Sequence, residues 1–179
     1  TLEMRRQAKV INFGIIYGMG AQRLAQELGI DAKTAKNYIE AYYGRYQGVT
    51  KYQEEMIDLA REKGCVKTLF NRRRYLPEIN HSQQRFSANR ERMAINTPIQ
   101  GTAADLIKKA MINIHERLVR ENLTSKMILQ VHDELLFEVK EDETDLIRSM
   151  VKEEMEGVHH LDVPLKVDVK VGKNWDEAH

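Results

Sequence analysis

Residues 126–131 (KMILQV) and 134–139 (ELLFEV) are two apolar runs separated only by His132 and Asp133. Strands joined by two residues pair antiparallel, because a parallel return needs a crossover of a dozen residues or more. Upstream of this hairpin the patterning is helical. Residues 2–17 read as one helix and 20–28 as a second, ended by Gly29. Asp31 suits an N-cap for a third, through about Tyr43, and 48–63 suits a fourth, ended by Gly64. CVKTLF at 65–70 suits a short strand turning at Asn71, and a long helical region runs from about Gln83 to Glu121, interrupted near Pro98. After the hairpin, 142–156 is helical, and LKVDVKV at 165–171 alternates as a last strand. Helices first and a small antiparallel sheet later predict an α+β chain: a helical lobe and a piece of an α+β lobe, meeting near residues 75–90.

Length and composition leave room for this. A chain of 179 residues, 42% hydrophobic and 31% charged, holds one domain or two small lobes. It has no repeat of solenoid length and no apolar run near the roughly 20 residues that cross a bilayer. No signal peptide is evident, and the helix begins almost at Thr1, which suggests a chain cut from something longer. The single Cys65 excludes an internal disulfide, reads as a half-buried structural residue, and fits a reducing, cytoplasmic compartment. The net charge of +1 hides an asymmetry: Lys67–Arg92 carries seven Lys/Arg and two Glu, and Asp133–Glu156 carries ten Asp/Glu and three Lys/Arg. The basic block argues for a phosphate-bearing partner, while the acidic block reads as a solvated helix.

In RRQAKVINFGIIYG (5–18), Arg5, Lys9, Phe13 and Tyr17 stand four apart, one above the other on one helix face. Leu2, Val10, Ile11 and Ile15 fall on other faces, available to pack inward. Two cations followed by two rings suit a ligand with phosphates at one end and a flat part at the other, as in a nucleoside triphosphate. Aromatic pairs at this spacing are more often core, but all four residues in register favour the ligand. Gly14 and Gly18 each weaken a helix by roughly 1 kcal/mol relative to Ala, which suits a flat group approaching the backbone or a helix end near Gly18–Gly20.

Two further patterns carry chemistry. His132, Asp133 and Glu134 stand at the hairpin turn, where carboxylates are held at a sheet edge and suit a hard divalent cation. A turn is also polar simply because it is exposed. Arg92, Asn96 and Gln100 step by four and all donate hydrogen bonds. Donors aimed at the minor groove meet purine N3 and pyrimidine O2 in nearly the same place in every base pair. Thr97-Pro98-Ile99-Gln100 also spells a capping box with proline at the first helical position, which would make Gln100 a cap and break the register at Pro98.

Together, RRQAKVINFGIIYG, TPIQGTAAD at 97–105 and QVHDELLFEV at 130–139, with RRRYLP at 72–77 and NWDEAH at 174–179, resemble the bacterial DNA polymerase I family (family A) along essentially the whole chain. The resemblance implies a right-hand polymerase piece, with a helical fingers part at 1–80 and part of an antiparallel-sheet palm at 81–179. It implies template-directed nucleotidyl transfer from a dNTP to a primer 3′-hydroxyl by two-metal catalysis with Mg2+. Arg5 and Lys9 match residues that hold the triphosphate, and Lys9 matches the general acid for the leaving pyrophosphate. Phe13 matches the position packed on the sugar, and Tyr17 the one beside the templating base. Arg92, Asn96, Gln100 and His132 match residues lining the minor groove near the primer end. Asp133 matches one of two metal-binding aspartates, and Glu134 its acidic neighbour. The helix bearing the stripe would act as a lid.

The departures also matter. The family's other metal aspartate lies upstream, in a segment like Asp-Tyr-Ser-x-Ile-Glu, and no such segment occurs here. The expectation is therefore a chain inactive alone, whose partners are primer-template DNA, dNTP and a missing N-terminal part, with dimerisation of the piece as a further expectation and no membrane. Asn71 stands where the family often has glycine, and asparagine tolerates the left-handed turn. A single-subunit RNA polymerase shares the Arg/Lys helix and the His-Asp pair, but usually lacks a residue like Phe13 and carries Ser in place of Glu134. A non-catalytic nucleic-acid-binding module resting on the basic stretch is the alternative from another class.

Overall fold

The computed structural model describes residues 1–77, 79–80 and 84–178, excepting the side chains of 84–86. The chain divides into two compact units, Thr1–Gly101 and Thr102–His179. Helices and two antiparallel two-stranded sheets make up the secondary structure of the described residues, in agreement with the α+β expectation.

The first unit opens with α1 (Leu2–Ile16), α2 (Ala21–Leu28), α3 (Ala32–Arg45) and α4 (Gln47–Lys63). Their limits follow the local chemistry. Asp31 caps α3 by accepting the Thr34 amide at 2.9 Å and its hydroxyl at 2.6 Å, and α2 and α4 stop at Gly29 and Gly64. Leu24, Ala25 and Ala35 form a buried cluster against which Val10, Ile11 and Ile39 pack. Ile15 is fully buried, as its face predicted, but Leu2 is 88% exposed. Leu2 stands two turns before Val10 and Ile11, where α1 meets that cluster.

β1 (Cys65–Lys67) pairs with β2 (Arg73–Tyr75) through a turn in which Asn71 takes a φ of 63°, the left-handed conformation expected of it. Val66, Leu76 and Ile79 pack with Ala60 of α4 and Ala94 of α5 (Gln84–Arg120). Each of these large side chains contributes about 1.5–3 kcal/mol by leaving water. The expected helix start at Gln83 lies outside the described residues.

Contrary to expectation, α5 is not interrupted at Pro98. Proline removes the amide that would bond the Ala94 carbonyl and crowds that carbonyl, a loss of about 3 kcal/mol in an isolated helix. Packing compensates here. Ala94 and Ile95 on the adjoining turn are buried, and the Tyr52 hydroxyl donates to the Ile95 carbonyl at 2.9 Å. Helix α5 therefore does not begin at Thr97, and Gln100 is no capping residue.

In the second unit, β3 (Lys126–Val131) and β4 (Glu134–Glu138) form the expected hairpin, with a bulge between Met127 and Leu129. A 3-10 turn (Glu141–Glu143) leads into α6 (Thr144–Glu156). Ile147, Met150 and Val151 of α6 pack with Ile114 and Leu118 of α5 and with Leu135 and Phe137 of β4. Arg117 bridges the helices, reaching Glu121 at 2.8 Å, Glu153 at 2.6 Å and Glu154 at 3.2 Å. Glu143 accepts the amides and hydroxyls of both Thr124 and Ser125, fastening the start of β3 to the turn before α6.

The last strand expected at 165–171 is a correction. Leu165, Val167 and Val169 are half-buried and Lys166, Asp168 and Lys170 exposed, so the alternation is real, but no strand pairs with the segment among the described residues. A strand is defined by its ladder. The Val167 amide instead donates to the Glu156 carboxylate at 2.9 Å. The chain closes with the short α7 (Trp175–Ala178).

Candidate functional site

In the first unit, the stripe on α1 forms as the spacing predicts, and it faces outward. Arg5 and Lys9 are exposed and have no ion pair among the described residues, whereas Arg6, one position off the stripe, is held by Glu3 at 2.8 Å. Phe13 is 56% exposed, so it is not a core residue. Its ring stacks on that of the half-buried Tyr17, with centroids 6.4 Å apart and planes 19° from parallel. A flat apolar face is thus held open two turns from an unpaired guanidinium and one turn from an unpaired ammonium.

Neighbouring elements hold the C-terminal end of α1. The Gln53 amide on α4 donates to the carbonyls of Ile15 and Ile16, both at 3.2 Å, and its oxygen accepts the Tyr43 hydroxyl at 3.1 Å. These carbonyls would otherwise lack a full set of helical partners. Gly18 follows with a φ of 77°, and a Cβ there would stand 3.2 Å from the Arg92 side chain. Gly18 therefore lets Arg92 lie against the end of the stripe, and it is also the chain turn expected there. Gly14 serves another purpose than the one expected from sequence. A Cβ on it would meet the Met19 sulfur at 3.0 Å, so the missing side chain makes room for Met19 rather than for a flat ligand.

Arg92, Asn96 and Gln100 share the uninterrupted α5. Arg92 and Gln100 are exposed, and the Oδ1 of half-buried Asn96 has no hydrogen-bond partner among the described residues, which leave this acceptor unused. The loop after β1 is fitted against the same helix. The Arg72 guanidinium donates to the Gly101 carbonyl at 3.0 Å, and Arg74 reaches the Thr97 hydroxyl at 3.4 Å. Nothing in the sequence pattern singled out Gln53, Tyr52 or these arginine contacts. Each joins residues distant along the chain, and only the glutamine's place on the inner side of α4 could have marked it.

In the second unit, His132 and Asp133 are the two link residues of the β3–β4 hairpin, and Val131 pairs with Glu134 to close it. His132 takes a φ of 54°, a conformation that costs about 1–2 kcal/mol in a residue with a side chain. A short bond from the Gln130 amide to the His132 carbonyl helps to hold it. His132, Asp133 and Glu134 are all exposed. The two carboxylates are the hard oxygen donors a divalent cation takes. Among the described residues no group of three or more His, Cys, Asp or Glu is placed so that it could hold a metal ion together, so the donor type fits a metal while the number falls short of a full set.

Known proteins share this architecture. Residues 1–177 match the family model for DNA polymerase family A. DNA polymerase I of Pseudomonas aeruginosa is 49% identical over 177 residues, covering 99% of this chain and 19% of that protein. The thermostable DNA polymerase I of Thermus filiformis is 48% identical over 176 residues, covering 98% of this chain and 21% of that protein. A solved structure of the POL domain of Pol1 from M. smegmatis, in complex with DNA primer-template and dNTP, matches with a TM-score of 0.95 at 46% identity, covering 99% of this chain and 31% of that one. The chain spans about a fifth of the length of the curated relatives it matches. Its fold is that of a helical fingers lobe with part of an antiparallel-sheet palm, and with the family model matching residues 1–177, the chain belongs to DNA polymerase family A.

Proposed function

We propose that this chain is the fingers and palm part of a template-directed DNA polymerase, with residues 1–80 in the fingers and 81–179 in the palm. The observation that carries the reading is the outward stripe on α1: two cations with no ion pair among the described residues, followed by a stacked ring pair, of which Phe13 is 56% exposed. An apolar ring left in water beside free charge is what a core explanation does not predict. The relatives named DNA polymerase I, and the Pol1 domain solved with primer-template and dNTP, support the same assignment.

Each residue then has a task. Arg5 and Lys9 neutralise and orient the triphosphate of the incoming nucleotide. Lys9 gives its proton to the pyrophosphate oxygen as the bond to the α-phosphorus breaks. Phe13 packs on the sugar and Tyr17 stands beside the templating base. Arg92, Asn96, Gln100 and His132 line the minor groove near the primer end, testing base-pair shape through acceptors common to all pairs. The continuous α5 supports the first three, because it keeps their four-residue register. Asp133, with Glu134 beside it, would hold a divalent cation, expected to be magnesium. Bound there, the ion would lower the pKa of the attacking hydroxyl and stabilise the leaving oxygen. Two carboxylates are too few to complete such a site, and this chain by itself does not extend primers. In the full-length protein, Asp133→Ala should abolish primer extension and leave primer-template binding intact. Near-normal extension by that variant would refute the metal assignment.

A further inference from the structure

The small β1–β2 sheet has two unlike faces. Directly opposed residues share a face, so Val66 and Arg74 point one way, while Cys65, Tyr75, Lys67 and Arg73 point the other. The first face is committed to the fold. Val66 is fully buried, and Arg74 reaches Thr97. The second face sets Lys67 directly across from Arg73, both exposed and without an ion pair among the described residues. Like charges opposed across strands repel. Beside them Tyr75 is 68% exposed. The two pairs are two residues apart along the strand, about 7 Å.

We propose that this face binds single-stranded nucleic acid, with Lys67 and Arg73 taking backbone phosphates and the Tyr75 ring stacking on an unpaired base. Two opposed cations are destabilising alone and favourable only with a polyanion laid across them. The exposed ring distinguishes a single strand from a duplex. A duplex keeps its base faces covered by neighbouring bases, whereas an unpaired base offers its π-face to an aromatic side chain. The face stands on a rigid base, because the loop after β1 is fastened to α5 through Arg72 and Gly101. If the polymerase reading holds, on which this identification of the strand rests, the occupant is the unpaired template ahead of the primer end.

The test uses the full-length protein and a primer-template whose 5′ overhang carries 2-aminopurine at one position at a time. Stacking on Tyr75 should change the fluorescence at one overhang position, persist in Tyr75→Phe and vanish in Tyr75→Ala. Tyr75→Ala should also weaken overhang-dependent binding by about 5- to 150-fold. Lys67→Ala with Arg73→Ala should flatten the slope of log K against log salt by about 1.4, at about 0.7 per phosphate of a single strand. Unchanged fluorescence and overhang affinity in Tyr75→Ala, or an abasic overhang bound as tightly as an intact one, would overturn the proposal. Primer extension by the wild-type protein, measured alongside, reports on the polymerase reading separately. Extension with no Tyr75-dependent signal sinks only the present inference, and a Tyr75-dependent signal without extension sinks only the polymerase reading.

Discussion

Substituting Gly101 by alanine sets two known effects against each other. Alanine in a helix interior is favoured over glycine by about 1 kcal/mol. A Cβ at Gly101, however, would stand 2.6 Å from the Thr68 Cγ2, closer than real contacts allow. Thr68 is buried at 6% exposure, and its backbone is tied to Arg72 and Asn71 by hydrogen bonds of 3.0 and 2.9 Å, so it has little freedom to retreat. Overpacking of this kind costs about 1–3 kcal/mol. The net expectation is a loss of about 1 kcal/mol, with an upper bound of about 2. Thr68→Ser supplies the control. It removes the clashing Cγ2 but keeps the hydroxyl that accepts the Arg72 amide at 3.2 Å. The next nearest atom to the new methyl is then Arg72 Nη2 at 3.6 Å, an ordinary contact. The double variant should therefore recover the helix gain, with a favourable coupling of about 1–3 kcal/mol between the two sites. Urea denaturation followed by circular dichroism measures all four corners of the cycle. A Gly101→Ala chain as stable as wild type, with no coupling to Thr68→Ser, would refute the claim that the loop is seated on α5 by close contact.

Other outcomes follow from single contacts. The Ser125 hydroxyl, with the Thr124 amide and hydroxyl, holds the Glu143 carboxyl at about 2, below its ordinary 4.5. A depressed carboxyl stabilises the fold above pH 4.5 and loses that contribution as pH falls toward 2, so thermal melts of wild type and Glu143→Gln should differ at neutral pH and converge across this window. Burial pushes the Tyr52 hydroxyl up to about 12 from 10, so its contribution should fade as pH rises from 10 to 12. Tyr52→Phe, which removes the hydroxyl that donates to the Ile95 carbonyl, should lose about 0.5–1.5 kcal/mol in urea denaturation at neutral pH, and an unchanged midpoint would deny the bond any part in carrying α5 past the proline. In the full-length protein, Phe13→Tyr should relax discrimination against dideoxynucleotides in a chain-termination assay, and an unchanged ratio would remove Phe13 from the sugar.

What could be read in advance was local. Asp31, Gly29 and Gly64 mark helix limits through groups within a turn of themselves, and the two-residue link at His132–Asp133 leaves one way to pair its strands. What could not be read depends on partners far along the chain. RRY at 73–75 has no alternation to show, and it becomes a strand because Cys65–Lys67 lies opposite. LKVDVKV has perfect alternation and forms no ladder among the described residues, because a pattern describes faces and not neighbours. Proline at 98 is a helix breaker in isolation, and tertiary packing around Ala94 and Ile95 outweighs it. Glu143 reads as one more acid in a solvated run, yet it accepts from two successive residues at the start of β3.

The same limit bears on the stripe. Four-residue spacing places Arg5, Lys9, Phe13 and Tyr17 on one face but is silent on whether that face looks to core or to water. The cations argue for water and the rings for core, and sequence alone leaves the two in tension. The structure resolves it through the other side of α1, where Ile15 is fully buried and Val10 and Ile11 pack on α2 and α3. With the inner face taken, Phe13 has to stand in solvent, an arrangement that burial energetics alone disfavours by a large part of the roughly 1.5–3 kcal/mol such a side chain gains when covered. Local rules broken without repayment within the fold are expected at functional sites. Phe13 therefore favours the proposed nucleotide at this face more than the cations do, since exposed arginine and lysine are ordinary on any helix.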